Sequence, residues 1–363
     1  MIRIARPEVD DDARRAVLEA LDSAQLAQGP RVAAFEQTFA EFCGVPHAVA
    51  VNSGTAALHI ALLAHGIGPG DEVIVPAFSF LATANVVLQA GATPVFVDVR
   101  EDDFGIDPDA VESAITGRTR AVITVHLYGQ TCDVARMAAI CASRGIVLIE
   151  DAAQAVGASM NGRRAGSFGT GCFSFYATKN LHTGEGGMIT TSGAAIADAA
   201  RILRSQGERA RYVTEVLGYN YRMTEIAAAL GLSQLPKLEE RSERRRMNAA
   251  HLSGLLAANR TVVVPRELPG RRHVFHQYTL RVCSGRDARD ALRAALLARG
   301  IESAVFYPTP IHQQPLYRRL GYGDLRLPVA ERLAAEVLSV PVHPLLTPAE
   351  LDAVAAAVND LAR

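Results

Sequence analysis

The sequence contains no tryptophan, and aromatic residues make up only 6% of its 363 residues. A site that stacks rings on a ligand must therefore use a few Phe and Tyr residues. The charges nearly cancel, with 37 Lys and Arg against 38 Asp and Glu, so the basic excess that favours nucleic-acid binding is missing. The apolar runs Ile226–Leu230 and Ala353–Val358 are far shorter than the roughly 20 residues of a membrane-spanning helix. We expect neither nucleic acid nor a membrane as a partner.

Cysteine is scarce and follows no pattern of metal binding or disulfide pairing. An odd number of cysteines without C-x-x-C spacing makes a disulfide framework or a structural zinc site unexpected, and it predicts a reducing cytoplasm as the location. The start of the chain, Met1–Arg15, carries acids and has no apolar core, so it predicts no signal peptide. The five cysteines are Cys43, Cys132, Cys141, Cys172 and Cys283.

Short β-rich runs alternate with helical segments through the first half of the chain. This alternation predicts an α/β fold with a mostly parallel sheet covered by helices, and several continuously apolar runs predict strands buried on both faces. The predicted strands are Ala48–Val51, Val73–Val75, Val95–Asp98, Ala121–Val125, Val147–Glu150, Cys172–Phe175 and Met188–Thr191. The predicted helices between them include Ala56–His65, Thr83–Ala90 and Asp133–Arg144.

The pattern changes at about Thr224, where a long charged helical stretch, Thr224–Ala258, begins and is interrupted at Pro236. The length of the chain suggests two domains. We place their boundary near residue 240, which gives a large domain of residues 1–240 and a small α+β domain of residues 241–363. The elements predicted in the small domain are strands Thr261–Val264 and Tyr278–Val282 and helices Ala288–Arg299 and Pro348–Leu361.

The segment Asn52–Leu62 turns from a predicted strand into an apolar helix through small residues. Unpaired N–H groups at such a helix start bind anions such as phosphate. The lysine of a P-loop is absent. Ser53 also suits an ordinary N-cap, so this segment alone is compatible with a helix start that binds nothing.

Another predicted strand ends in two adjacent acids, Glu150 and Asp151, and Gln154 follows them. Open α/β sheets bind ligands at such strand ends. Successive side chains of a strand point to opposite faces, so the two acids cannot share one role. A buried carboxylate needs a cation or a hydrogen-bond donor, which the protonated ring nitrogen of a cofactor would supply. Helix capping by Asp151 is the alternative.

Lys179 lies between the apolar run Cys172–Phe175 and the glycine-rich segment Gly184–Gly187. A lone lysine is usually a solvated surface group. A desolvated lysine, however, has a lowered pKa and becomes an amine nucleophile that can form a Schiff base. Gly186 and Gly187 would permit close approach of a ligand, and they are equally compatible with a hairpin turn.

Nine segments form an ordered series that is far more specific than any one of them. They are Gln28-Gly29-Pro30, VNSGTAAL, VIVPAFSF, EDAAQA, FSFYATKN, GEGGM, GYNYRM, YPTPIHQQP and VPVHPLL. Together they resemble the DegT–DnrJ–StrS family of sugar aminotransferases, which are enzymes that use pyridoxal phosphate (PLP) and have the aspartate aminotransferase fold. The resemblance covers nearly the whole chain. It implies a large, mostly parallel seven-stranded sheet domain flanked by helices, and a smaller C-terminal α+β domain.

The resemblance also implies a role for each matching residue at the cofactor. Lys179 would hold PLP as a Schiff base and, once freed, would move a proton between substrate and cofactor. Asp151 would keep the pyridine nitrogen protonated, Gln154 would bond the ring hydroxyl, and Phe80 would stack on the ring. The residues expected at the phosphate are Gly54, Thr55 and Ala56 through their N–H groups, Ser174 through its hydroxyl, and Asn220 from the second subunit of a homodimer.

The implied reaction is transfer of an amino group from L-glutamate to a keto-sugar carried on a nucleotide. Lys179 favours transamination over dehydration, because a related branch of dehydratases has His at that position. Glu185 in GEGGM favours a 4-keto-6-deoxy sugar. Arg222, Tyr307 and His312 resemble substrate-pocket residues, although ion pairing or ordinary loop packing explains them equally well. Two alternatives are a keto-cyclitol acceptor without a nucleotide and a non-catalytic PLP-binding regulator.

Overall fold

A computed structural model describes residues 1–362 of the chain. The strands in these residues are β1 His47–Val51, β2 Glu72–Pro76, β3 Thr93–Val97, β4 Thr119–Val125, β5 Val147–Asp151, β6 Ser159–Met160, β7 Arg163–Arg164, β8 Thr170–Ser174, β9 Gly187–Thr191, β10 Glu208–Ala210, β11 Val213–Thr214, β12 Val262–Val263, β13 Arg271–Arg272, β14 Tyr278–Val282 and β15 Val337–Val340. The α-helices are α1 Asp11–Asp22, α2 Pro30–Cys43, α3 Gly54–Ala64, α4 Ala82–Gln89, α5 Pro108–Ala114, α6 Val134–Arg144, α7 Ala194–Arg204, α8 Glu225–Gln234, α9 Leu238–Leu256, α10 Arg286–Ala298, α11 Pro315–Tyr317, α12 Pro328–Glu336 and α13 Pro348–Leu361.

Seven strands form one sheet in the order β1-β9-β8-β5-β4-β2-β3. Neighbouring strands are parallel, except that β9 is antiparallel to both β1 and β8. The prediction of a mostly parallel, seven-stranded sheet is therefore confirmed. Each predicted run overlaps one of these strands, and only Asp98 and Phe175 lie one residue beyond the strand that was predicted to include them.

Helices cover both faces of this sheet, and alternate residues of one strand enter different cores. Val73 and Val75 of β2 pack in the same apolar cluster as α3 and α4. Ile74 between them packs on the opposite face, in the cluster that contains Met137 of α6. All three β2 residues are fully buried, and burial of each such side chain contributes roughly 1.5–3 kcal/mol. Burial on both faces explains why these strands are continuously apolar in sequence.

The smaller unit has a three-stranded antiparallel sheet in the order β12-β14-β15. Its apolar core includes residues of α9, α10 and α13. The predicted long helix is divided at Pro236, which lies in a 3₁₀ turn between α8 and α9. Helix α9 contributes to both apolar cores. Leu238 at its start packs in the core of the large domain, and Ala249 packs in the core of the small domain. The domain boundary near residue 240 stays a prediction.

The segment before β15 lies against the large domain. Ile311, Tyr317 and Leu333 share an apolar cluster with α3 and α4. Asp98, which follows β3, accepts hydrogen bonds from the N–H groups of Val329 at 2.9 Å and Ala330 at 2.8 Å. These two N–H groups belong to the first turn of α12, where a carboxylate also stabilises the helix dipole. The helix is thereby fixed to the edge of the large sheet.

The parallel strands β1, β2, β4, β5 and β8 all end at one edge of the large sheet. Their following loops carry the polar residues singled out in the sequence, which is the usual location of a ligand site in an open α/β sheet. Among the helices of residues 1–362, none combines the length and the apolar character that crossing a bilayer requires.

Candidate functional site

A cleft of about 480 Å³ opens at this edge of the large sheet. Its walls come from the residues that follow β1, β2, β5 and β8 and from the two short segments 276–277 and 306–307. Seven of the nine residues predicted at a cofactor line it, namely Gly54, Thr55, Phe80, Asp151, Gln154, Ser174 and Lys179. The fold thus brings together motifs that are far apart in the sequence.

One end of the cleft is the start of α3. Ser53 caps this helix by accepting a hydrogen bond from the Ala56 N–H at 3.1 Å. The N–H groups of Gly54 and Thr55 have no acceptor within residues 1–362. A Cβ atom on Gly54 would lie only 2.7 Å from the Cβ of Ser174, so glycine allows the helix start to approach that hydroxyl-bearing residue. Two free N–H groups beside a hydroxyl form an anion site.

Two of the predicted cofactor residues, Ala56 and Asn220, lie outside the cleft wall. The Ala56 N–H is already bonded to Ser53, so that serine must turn away before the N–H can serve a ligand. Asn220 is exposed, and within residues 1–362 only its carbonyl accepts a side-chain hydrogen bond, from Asn52 Nδ2 at 3.3 Å. The Asn220 side chain is thus accessible to a second copy of the chain.

Asp151, the last residue of β5, is 6% exposed. Its Oδ2 accepts from the Thr83 hydroxyl at 2.8 Å, and its Oδ1 accepts from the Ala153 N–H at 3.2 Å. Burial raises the pKa of Asp151, whereas these two bonds and the charge of Lys179 favour the anion. No helix begins in residues 152–158, so Asp151 is not a helix cap. A carboxylate accepts up to about four hydrogen bonds, so this one can still receive a cationic donor.

Glu150 lies on the opposite face of the same strand and is completely buried. His126 Nε2 lies 3.0 Å from its Oε2, and the Cys132 N–H donates to Nδ1 of the same ring, so Nε2 is the protonated nitrogen. Three main-chain N–H groups also donate to Glu150, those of Gly166, Phe168 and Gly169 at 2.7–2.8 Å. All of these partners belong to the protein, so Glu150 stabilises the loop before β8 while Asp151 faces the cleft.

Lys179 follows β8 in a turn at which its N–H donates to the Tyr176 carbonyl at 2.8 Å. Burial lowers the pKa of its side chain to about 8, against the opposing effect of Asp151. Near neutral pH a useful fraction of the amine is therefore uncharged and nucleophilic. The other lysine of the chain, Lys237, is bound to Asp10 at 2.6 Å and Asp12 at 2.8 Å, and these bonds raise its pKa.

Gln154 and Tyr307 form a bonded pair in the cleft wall. Gln154 accepts the Tyr128 N–H at 2.7 Å and donates to the Tyr307 hydroxyl at 3.0 Å. Burial and the charge of Asp151 raise the pKa of Tyr307, which therefore stays a neutral phenol. Phe80 is 55% exposed, and its ring centroid lies 5.9 Å from that of Tyr307. An aromatic face left open beside a cleft is available to stack on a planar ligand.

The four predicted substrate residues are divided between the cleft and other places. Glu185 and Tyr307 line it. His312 is fully buried outside the cleft, with Nε2 at 3.3 Å from Glu331 Oε1, and burial lowers the pKa of its ring. Arg222 lies in the loop before α8 and forms no ion pair with any residue in the range 1–362.

Sequence reasoning missed several residues at or beside the cleft because they belong to no motif. His276 lines the wall near Asn180, with Nδ1 at 3.3 Å from Asn180 Oδ1, and burial lowers the pKa of its ring. Thr83 lies only three residues after Phe80, yet its contact with Asp151 spans 68 positions in sequence. Lys179, by contrast, was predicted from the sequence, and it is one of only two lysines in the chain.

Comparison with known proteins places the whole chain in one group. The family model for the DegT/DnrJ/EryC1/StrS aminotransferase family matches residues 7–359. The chain is 45% identical over 345 residues to the pleiotropic regulatory protein of Geobacillus stearothermophilus, covering 94% of this chain and 91% of that protein. It is 43% identical over 367 residues to GDP-perosamine synthase of Caulobacter vibrioides, covering 99% and 98%.

Solved structures agree with the fold over nearly its full length. The S. venezuelae protein DesV, solved in complex with a ketimine intermediate, superposes with a TM-score of 0.93 at 40% identity, covering 97% of this chain and 94% of that one. Spr1654 of Streptococcus pneumoniae in its PLP form superposes with a TM-score of 0.94 at 28% identity, covering 99% and 98%. Both domains lie within the matched length.

Proposed function

Because this chain belongs to the DegT/DnrJ/EryC1/StrS aminotransferase family, we propose that it transfers an amino group from L-glutamate, through bound PLP, to a keto-sugar carried on a nucleotide. The chain is a transaminase. The observation that supports the proposed donor, cofactor and acceptor is the cleft itself. A desolvated lysine, a buried acid and the anion site at a helix start lie together in it. A surface lysine and a capping acid would not share one cavity.

The residues of the cleft fit the chemical groups of PLP. The free N–H groups of Gly54 and Thr55, with the Ser174 hydroxyl, suit a phosphate. Asp151 offers acceptor capacity to a protonated ring nitrogen. Gln154 uses one amide proton on Tyr307 and keeps another for a ring hydroxyl. When bound, PLP supplies the electron sink on which transamination depends.

Each side chain then has a distinct task. Lys179 would hold the cofactor covalently and, as a free amine, would take and return the proton at the reacting substrate carbon. Asp151 keeps a proton on the ring nitrogen, because its buried anion is otherwise incompletely partnered. Phe80, beside Tyr307, offers an open ring face on which the planar cofactor would stack.

The acceptor proposed is a nucleotide-linked 4-keto-6-deoxy sugar. A relative that is 43% identical is named for a GDP-linked product, and Glu185 of the GEGGM segment lies exposed in the cleft wall. A keto-cyclitol acceptor is the enzymatic alternative. A regulatory role is suggested by the name of the relative that is 45% identical, but a lysine whose pKa is lowered to about 8 is typical of catalysis.

Two half-reactions distinguish these possibilities. The PLP-loaded protein is first mixed with glutamate, and its visible absorption is expected to disappear. A nucleotide-linked 4-keto sugar should then restore that absorption at least about a hundredfold faster than a keto-cyclitol does, because binding of the nucleotide positions the keto group. Faster recovery with the cyclitol would contradict the proposed acceptor, and no response to glutamate would favour the regulator.

The active unit proposed is a homodimer in which Asn220 serves the partner's site. Asn220 follows the hairpin β10–β11 in the chain, and its side chain is exposed. Tyr212, in the turn of that hairpin, is also exposed. Mixing the inactive variants K179A and N220A by unfolding and refolding is expected to restore about a quarter of the wild-type rate. Half of the dimers are then hybrids, and one of the two sites in each hybrid combines a wild-type Lys179 with a wild-type Asn220.

The two variants refolded separately are the control, and each should stay inactive. If Asn220 acted within its own chain, no hybrid site would be complete and the mixture would recover no activity. Steady-state assays before and after mixing, with size-exclusion chromatography to establish the dimer, make this comparison.

We also propose that the enzyme works in the cytoplasm. All five cysteines carry free thiols, which suits a reducing compartment. Burial raises the pKa of four of them, so they are poor nucleophiles and pack as small apolar residues.

A further inference from the structure

Thr83 is a fully buried residue of α4 whose hydroxyl reaches the acid of the cleft. Its Oγ1 lies 2.8 Å from Asp151 Oδ2 and 3.2 Å from the hydroxyl of Ser79. A hydroxyl has one proton, and an ionised carboxylate can only accept. Thr83 therefore donates to Asp151, and its oxygen accepts the proton of Ser79, so the two hydrogen bonds run in one direction.

The topology explains how these residues meet. Ser79 and Thr83 follow β2, whereas Asp151 ends β5, and β4 lies between those two strands. The loop after β2 must therefore cross the end of β4 to bring a hydroxyl to Asp151. Ser79 lines the cleft, but Thr83 lies behind it and touches no ligand space.

Burial works against the ionised form of Asp151. Among residues 1–362, four titratable groups stand near it: the charge of protonated Lys179 favours the anion, and His126, Tyr307 and Cys172 lie within its field. The Thr83 hydroxyl is the largest of the contributions that favour the anion and lower the pKa. Loss of this donor would make the carboxylate more basic, so that it would compete with the ring nitrogen for their shared proton.

We propose that Ser79 and Thr83 form a directed hydrogen-bond pair that positions Asp151 and keeps it ionised toward the ring nitrogen of the cofactor. The inference rests on the proposed function, because it requires PLP in the cleft. Thr83 acts through Asp151 and is a positioning residue. Ser79 donates its proton to Thr83 and so directs the Thr83 proton to the carboxylate.

The test compares T83V, which removes only the hydroxyl, with T83S, which retains it. Isotope-labelled PLP reports ring-nitrogen protonation by nuclear magnetic resonance, and equilibrium titration gives the PLP dissociation constant. T83V is expected to shift the ring-nitrogen signal toward the unprotonated form and to weaken PLP binding by about tenfold to a hundredfold. T83S should retain most of the ring-nitrogen protonation and most of the PLP affinity. S79A should shift the ring-nitrogen signal toward the unprotonated form by less than T83V does.

The matched control is T124V. Thr124 is equally buried in β4, and the main-chain acceptor of its hydroxyl within residues 1–362 is the Ile149 carbonyl at 3.4 Å. T124V should lower the melting temperature without moving the ring-nitrogen signal. An unchanged signal in T83V, or the same shift in T83V and T124V, would overturn the inference. If T83V does not fold, an unchanged signal in S79A overturns it. Failure of the wild-type protein to bind PLP would instead overturn the proposed function.

Discussion

K179A is expected to lower the transamination rate by at least about a thousandfold, because the variant loses both the covalent attachment and the group that moves the proton. Within residues 1–362 the Lys179 side chain forms no hydrogen bond or ion pair, so its removal should change the free energy of unfolding by less than about 1 kcal/mol. Absorbance after mixing with glutamate measures the rate, and thermal denaturation measures the stability.

K237A is the matched control, since it alters the other lysine of the chain. Lys237 is bound to Asp10 and Asp12 outside the cleft, and solvent screens these ion pairs, so their loss should change the stability of the fold little. Its transamination rate should equal that of the wild type. Wild-type turnover in K179A would remove the basis for assigning this lysine to the cofactor.

D151N and E150Q are expected to affect different properties although the residues are adjacent. In D151N the neutral amide cannot hold a proton on the ring nitrogen, so turnover should fall at least about a hundredfold while the fold is retained. In E150Q an amide group replaces an oxygen that accepts buried N–H donors. We expect its free energy of unfolding to fall by about 2–4 kcal/mol, with nearly normal activity in the molecules that remain folded.

Denaturant unfolding monitored by circular dichroism, together with the rate per folded molecule, separates the two effects. The loop bound by Glu150 precedes β8, which carries Lys179 beyond its end, so activity must be compared at equal folded fraction. A merely twofold rate loss in D151N, or equal stability losses in the two variants, would contradict the division of roles.

The large sheet could be predicted because its strands are buried on both faces and therefore appear as apolar runs. The direction of β9 could not be predicted, since an apolar run has no polarity that distinguishes parallel from antiparallel pairing. Strand β15 was missed because it follows α12 directly at Val337, without the turn residues that normally mark a strand. Its place in the small sheet depends on pairing with β14, which is a tertiary contact.

The site was predictable wherever its chemistry lies in a contiguous segment, as at Lys179 and Asp151. Hydrogen bonds between segments were not predictable, and both the Thr83 contact and the pairing of Gln154 with Tyr307 are of that kind. Proximity in sequence also misleads. His312 lies five residues from Tyr307, but it packs against the large domain beside Phe96, in a buried core away from the cleft.

Reduction of the PLP-loaded protein with borohydride tests the central claim most directly, because it converts the bond between lysine and cofactor into a stable amine. Proteolysis and mass spectrometry then locate the label, and with two lysines in the chain only two side chains can carry it. We predict complete labelling of Lys179 and none of Lys237. A label on Lys237, or no label on a protein that retains its visible absorption, would contradict the assignment of Lys179 as the residue that holds the cofactor.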